Sequence, residues 1–294
     1  MLLSCSSSWP ASWVRSSWYS RVRSAVTKAL DTISRLGDDR YTMKPIPALI
    51  SGAALAVLVV VMASSCGGSS DPPADSATLI PPDADVLSVG IVVQGETQVL
   101  RGWLYGDEND VLVILSHMRP NDQTAWEPFA KELVENGYAA LTFDFRGYGI
   151  SSGDKDFDKL DEDLAAAISY MVARDVARGA SRPVFLVGAS MGGTTSLVVA
   201  AEADVAGVVS VSAPSEFQGQ NATDAISRIL APTILIAAEE DIAAMVSLEE
   251  LETAAGSAIS TTYSGGEHGT ALVEGEHAAA VQDEILRFLA EHAN

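Results

Sequence analysis

The chain has 294 residues, 48% hydrophobic and 19% charged, a folding composition that excludes a mostly disordered protein. Acidic residues number 39 against 18 basic, a formal net charge of −21, which excludes a general nucleic-acid binder because phosphate contacts need Lys and Arg. Two cysteines, Cys5 and Cys66, and four histidines, His117, His268, His277 and His292, leave no basis for a disulfide scaffold, a Cys-based metal site or a His-rich metal cluster.

Residues 1–42 are rich in Ser, Arg and Trp without clean periodicity, and Met43-Lys44-Pro45 reads as the start of a signal peptide. We expect residues 1–42 to be an over-extended N-terminus; a cytoplasmic tail is the alternative. Ile46 to Ala63 is an uncharged apolar run that follows Lys44 and leads into Ala63-Ser64-Ser65-Cys66-Gly67. A basic start, an apolar stretch and small residues before a cut site describe a secretory signal over residues 43–65. The Cys after those small residues resembles the lipobox of bacterial lipoproteins, although Ala63 stands where that family prefers Leu. The resemblance implies that Cys66 carries a diacylglyceryl group and becomes the mature N-terminus. An uncleaved membrane anchor is the alternative, since about 18 apolar residues just span a bilayer. Either arrangement places the rest outside the cytoplasm and tethered to a membrane.

Charge shifts at the same point. Residues 1–65 hold seven Lys/Arg and three Asp/Glu, whereas residues 66–294 hold 11 and 36. Basic residues inside and acidic residues outside follow the positive-inside tendency. After Cys66, the stretch to Asp85 contains Gly67-Gly68-Ser69-Ser70, Pro72-Pro73 and Pro81-Pro82. It is a linker that spans roughly 20–25 Å as a coil.

From residue 86 the pattern alternates strand and helix. Val86–Val93 and Gln98–Tyr105 read as a hairpin around Gly95. Short apolar runs follow at Val111–Ser116, Ala139–Asp144, Val184–Gly188, Gly207–Val211, Thr233–Ala237 and Ala258–Tyr263. Most are continuous rather than alternating, as strands buried on both faces are. Helical patterns fall at Thr124–Asn136, Lys159–Ala177, after Ser190, at Thr223–Leu230, Leu248–Ala255 and Glu276–His292. A hairpin followed by β-α repeats predicts an α/β fold, a mostly parallel eight-stranded sheet with helices on both faces. Ligands bind such sheets beyond the carboxyl ends of the strands.

The strongest chemical signal is Gly188-Ala189-Ser190-Met191-Gly192, a G-x-S-x-G run between a buried strand and a helix. That context forces a sharp turn and lifts Ser190 above the sheet at a helix N-terminus. The bland reading is a Gly-rich turn with a helix-capping serine. A serine nucleophile needs a base, and the base an orienting acid. Asp241, four residues past Ala237, is the first choice of acid, with Glu240 as runner-up. His268, on the Gly-rich loop after Tyr263, is the first choice of base, ahead of His277. His117 reads as structural.

With these residues in order, the chain from Val86 to its end resembles the α/β-hydrolase superfamily. Asp144-Phe145-Arg146-Gly147-Tyr148-Gly149-Ile150-Ser151 resembles the loop after the fourth strand in many members, where Arg146 would make a local pairing. The resemblance implies an oxyanion hole made by the N–H groups of Met191 and Arg119. Met118 departs from the glycine usual in that loop, and Pro120 has no N–H to give. It implies a serine hydrolase acting on a small acyl substrate, most simply a carboxylic ester, with no metal, organic cofactor or obligate protein partner. Thioesterase and peptidase readings share the same triad, and a non-catalytic binding protein is the different-class alternative. Serine as nucleophile argues against dienelactone hydrolysis, for which relatives carry Cys. Only about 20 residues separate Val211 from Thr233, so no sizeable lid is expected.

Overall fold

The computed structural model describes residues 81–293. The apolar run Ile46–Ala63, Cys66 and most of the linker lie outside them. By contacts the chain divides into two units. Residues 77–171 with 182–294 form the larger unit, which holds the whole sheet and every candidate site residue; residues 1–76 with 172–181 form the other.

The strands are β1 (Leu87–Val92), β2 (Val99–Tyr105), β3 (Leu112–Ser116), β4 (Ala139–Phe143), β5 (Val184–Ala189), β6 (Gly207–Val211), β7 (Glu216–Phe217), β8 (Gln220–Asn221), β9 (Thr233–Ala238) and β10 (Ile259–Tyr263). The helices are α1 (Glu127–Glu135), α2 (Leu160–Ala177), α3 (Met191–Ala200), α4 (Ala222–Ile226), α5 (Ile242–Ala254), α6 (Thr270–Glu274) and α7 (Ala278–His292). Eight strands form one sheet in the order β1-β2-β4-β3-β5-β6-β9-β10. β2 runs antiparallel to both its neighbours, and every other pairing is parallel.

Every residue of β3, β4, β5, β6 and β9 is buried, because helices cover both faces. On one face Val113, Leu115, Val187, Val209 and Ile236 share a core with Phe129 and Leu133 of α1 and with Val281, Ile285 and Leu289 of α7. The alternate residues, such as Ile114, Leu186 and Val208, are equally buried on the opposite face. Each fully buried aliphatic side chain contributes about 1.5–3 kcal/mol relative to exposure.

The expected sheet is present, with strand ends displaced by no more than a residue or so. Several departures concern helices and turns: the helix expected at Thr223–Leu230 runs from Ala222 to Ile226, and α6 had no counterpart among the expected helices. The helix expected at Leu248–Ala255 begins six residues earlier, at Ile242, and ends at Ala254. The first expected helix divides into a 3-10 turn, Gln123–Trp126, and α1, with Pro128 in the first turn of α1, where a missing N–H costs nothing. Between β6 and β9 the chain forms the small β7–β8 hairpin before α4. That segment contains no further element, consistent with the absence of a sizeable lid.

Candidate active site

β5 carries the chain to the upper edge of the sheet, and α3 leaves it at once. Ser190 stands between them with φ +48° and ψ −116°, a conformation that costs a residue with a Cβ about 1–3 kcal/mol. The two flanking glycines permit the turn by close approach. A Cβ on Gly188 would stand 2.2 Å from the Gly192 carbonyl oxygen, and one on Gly192 would stand 2.2 Å from that of Ser116. Ser190 makes no side-chain capping bond to α3, so the helix-capping role does not hold.

Its Oγ lies instead 2.8 Å from Nε2 of His268. The other ring nitrogen of His268, Nδ1, lies 2.5 Å from Oδ2 of Asp241. The three side chains come from three loops at the carboxyl ends of β5, β9 and β10. Asp241 reaches the imidazole because it is also the N-cap of α5, where its Oδ1 accepts a hydrogen bond from Ala244 N–H at 3.3 Å. The carboxylate is largely covered, with 10% of the side chain exposed, whereas His268 keeps 39% and so faces the approach to the site. Glu240 is exposed, and its backbone N–H donates to Gly265. His277 is the N-cap residue of α7, with Nε2 3.1 Å from the Ser264 hydroxyl. The structure thus gathers Ser190, Asp241 and His268 and leaves Glu240 and His277 aside.

Met191 is the first residue of α3, so its N–H lacks an intrahelical acceptor. Neither that N–H nor the N–H of Arg119 is bonded to another group among the described residues. α3 presses on the loop after β3, at the carbonyl groups of Ser116 and His117. His117 is fully buried there. Its Nε2 accepts from Phe145 N–H at 3.2 Å, so Nδ1 carries the proton and donates to the Met118 carbonyl at 3.0 Å. Burial holds its pKa down to about 4. His117 is therefore a neutral brace between the two loops.

Two contributors carry no motif. Ser212, just past β6, is buried and has φ +49°. Its Oγ accepts from the N–H of Gly269 at 3.0 Å, the residue after His268. Met118 holds the next residue of the same loop, its thioether sulfur accepting from the N–H and hydroxyl of Thr270 at 3.4 and 3.3 Å. The two residues that follow His268 are thus held by Ser212 and Met118.

The loop after β4 is fixed by charge. Arg146 binds Asp163 in the first turn of α2 through Nη2 at 2.6 Å and Nε at 2.9 Å, both side chains buried. Removing one partner of such a pair costs about 3–5 kcal/mol. Asp144 accepts from Gln123 N–H at 2.7 Å and Ile150 N–H at 2.9 Å. The Tyr148 hydroxyl then reaches Sδ of Met191 at 3.9 Å, and its ring packs on His117 at 4.9 Å.

The fold has close counterparts among solved structures. An esterase of Pyrococcus furiosus superimposes with a TM-score of 0.61 at 19% identity, covering 71% of this chain and 93% of its own. The ferulic acid complex of Est1E from Butyrivibrio proteoclasticus gives 0.58 at 17% identity, with 69% and 98% covered. A proline iminopeptidase of Mycobacterium smegmatis gives 0.57 at 13%, with 70% and 99% covered. The family model described as serine aminopeptidase, S33, matches residues 107–250. This chain has the α/β-hydrolase fold. A sequence search of curated proteins finds no match. The stretch matched by the family model takes in Ser190 and Asp241 and ends before His268.

Proposed function

We propose that this protein of α/β-hydrolase fold is a serine hydrolase that cleaves a small carboxylic ester through an acyl-enzyme intermediate. The observation that carries the reading is the unbroken chain Ser190 Oγ, His268 Nε2, His268 Nδ1, Asp241 Oδ2, with links of 2.8 and 2.5 Å. Ser190 Oγ attacks the acyl carbon while His268 Nε2 takes its proton. Asp241 holds Nδ1–H, which fixes the tautomer and stabilises the imidazolium. The N–H groups of Met191 and Arg119 hold the oxyanion. His268 returns the proton to the departing alcohol, and water then repeats the sequence on the acyl-enzyme. Every group these steps need is a residue of the chain. A panel of esters, thioesters and peptide amides on purified residues 67–294 tests the reading, with hydrolysis of short-chain esters as the expected result. The serine aminopeptidase description of the matching family model favours a second reading, peptide-bond cleavage by the same triad. Faster turnover of amino-acid amides than of esters would establish it.

Ser212 gives this site a specific test. Ser212→Gly removes the acceptor for Gly269 N–H but relieves a backbone strain of about 1–3 kcal/mol. The lost hydrogen bond costs about 1 kcal/mol. The two terms roughly cancel, so the melting temperature should stay within a few degrees. We expect kcat to fall about tenfold with KM little changed, because the residue after His268 loses the hydrogen bond that holds it. An unchanged kcat would show that Ser212 does not position His268.

We further propose that the hydrolase is held at the extracytoplasmic face of a bacterial membrane by a lipid on Cys66, with its acidic domain lifted off the bilayer by the Pro/Gly/Ser linker. The support is the order of Lys44, the apolar run, Ala63-Ser64-Ser65 and Cys66. Metabolic labelling with a fatty-acid analogue should tag the protein, and Cys66→Ala should remove the tag. An untagged protein that retains the apolar run would mean an uncleaved helical anchor instead.

A further inference from the structure

Most basic side chains of this acid-rich domain are occupied by carboxylates. Lys131, Arg146, Lys159 and Arg228 all lie in ion pairs. Arg101, Arg119 and Lys155 depart from that pattern, with no ion pair to a described residue. Arg101 is half-buried in β2, whereas Arg119 and Lys155 are both exposed. Each lies over an aromatic ring instead. The guanidinium carbon of Arg119 is 5.7 Å from the centroid of Phe157, and Nζ of Lys155 is 3.9 Å from that of Tyr148. Four carboxylates lie close to them in sequence, Asp122, Asp154, Asp156 and Asp158; Asp122 and Asp156 cap helices, accepting from Thr124 N–H at 2.9 Å and Asp158 N–H at 3.2 Å, and none of the four is in an ion pair with Arg119 or Lys155.

These cations stand beside the reacting centre. Tyr148, under Lys155, points its hydroxyl at Met191, the residue after Ser190. Arg119 lies on the loop that includes His117 and Met118. Its partner ring, Phe157, meets Phe217 of the β7–β8 hairpin edge to face at 5.6 Å. The rim therefore joins two unneutralised charges to an aromatic wall. Ring faces hold a cation in place without cancelling its charge. Elsewhere the net negative surface repels anions, so two cations outside ion pairs here give a substrate anion one place to bind.

Accepting the serine-hydrolase reading on which this rests, we propose that the substrate is an ester bearing a carboxylate away from the reacting carbonyl, and that the side chains of Arg119 and Lys155 bind that carboxylate. The pair acts on recognition, and the Arg119 N–H serves the oxyanion independently of its side chain.

The test compares esters matched in shape but not in charge. One pair is 4-acetoxybenzoate and 4-acetoxybenzamide, with the charge on the leaving group. The other is monoethyl adipate and its neutral amide, with the charge on the acyl side. For at least one pair kcat/KM should favour the anion by about two- to fivefold, the scale of partly exposed charge pairs. That preference should shrink towards one in Lys155→Gln and in Arg119→Gln, and also as salt is raised, because exposed charges are screened. A preference at or below one for both pairs in the wild type overturns the proposal. So does a preference that survives both substitutions. Fluorophosphonate labelling of Ser190, run on the same samples, separates the two levels. Labelling with no anion preference, or with none of the four esters turned over, defeats only the anionic-substrate proposal. Absence of labelling defeats the hydrolase reading beneath it.

Discussion

Ser190→Ala is expected to abolish labelling by a fluorophosphonate probe and to lower ester turnover by about 10⁶, the scale seen when a serine nucleophile is removed from a working triad. The fold should survive. Ser190 gives α3 no capping bond, so the substitution takes nothing from the helix. The Ser190 N–H that bonds the Val211 carbonyl at 2.8 Å is backbone and remains. The strained φ is the same for Ala as for Ser. Loss of activity with an unchanged melting temperature is therefore the expected pair of results. Equal labelling of the wild type and the variant would remove Ser190 from the mechanism.

Asp241→Asn should be nearly as damaging, by a different route. The carboxylate has two duties, one oxygen capping α5 and the other facing the imidazole. Asparagine preserves the cap, because its oxygen can still accept from Ala244 N–H. Its NH₂ then points at Nδ1 of His268. An amide donor there forces the proton onto Nε2, which faces Ser190 and can no longer take a proton from it. Turnover should fall about 10²–10⁴, since the same change in a well-studied triad costs about 10⁴. KM should hardly move, because the missing stabilisation belongs to the transition state. Glu240→Gln should cost little, as that side chain is exposed and its backbone contact to Gly265 does not depend on charge. A crippled Glu240→Gln beside a mild Asp241→Asn would move the acid by one residue and leave Ser190 and His268 in place.

The buried strands were legible because each is a continuous apolar run between breakers. Val184–Ala189, buried at every position, is the plainest case. The order Ser190, Asp241, His268 was legible because each residue follows a strand end, and a parallel sheet gathers such ends along one edge. The β7–β8 hairpin escaped because a two-residue strand is too short to show period two. The start of α5 escaped because Ile242 and Val246 face solvent, 70% and 54% exposed, and the only inward apolar residue before Leu248 is the small Ala244. The missed signal was Asp241 itself, an N-cap residue. Ser212 and Met118 could not be found by motif. Their partners are backbone N–H groups of Gly269 and Thr270, which any residue would supply, and only the fold brings them within reach.

The β7–β8 turn bears on how this scaffold can change. Its two turn residues, Gln218 and Gly219, both have positive φ, as a tight two-residue hairpin requires, and Phe217 beside them touches the aromatic wall of the site through Phe157. The turn takes no part in the eight-stranded sheet. Lengthening a surface loop costs only about 0.6 kcal/mol per doubling. New sequence inserted at Gln218–Gly219 would extend from beside Phe217 and Phe157 while Ser190, Asp241 and His268 kept their supports. Evolution or a designer can thus alter which molecules enter by rewriting a single turn, without reopening the problem of folding the sheet.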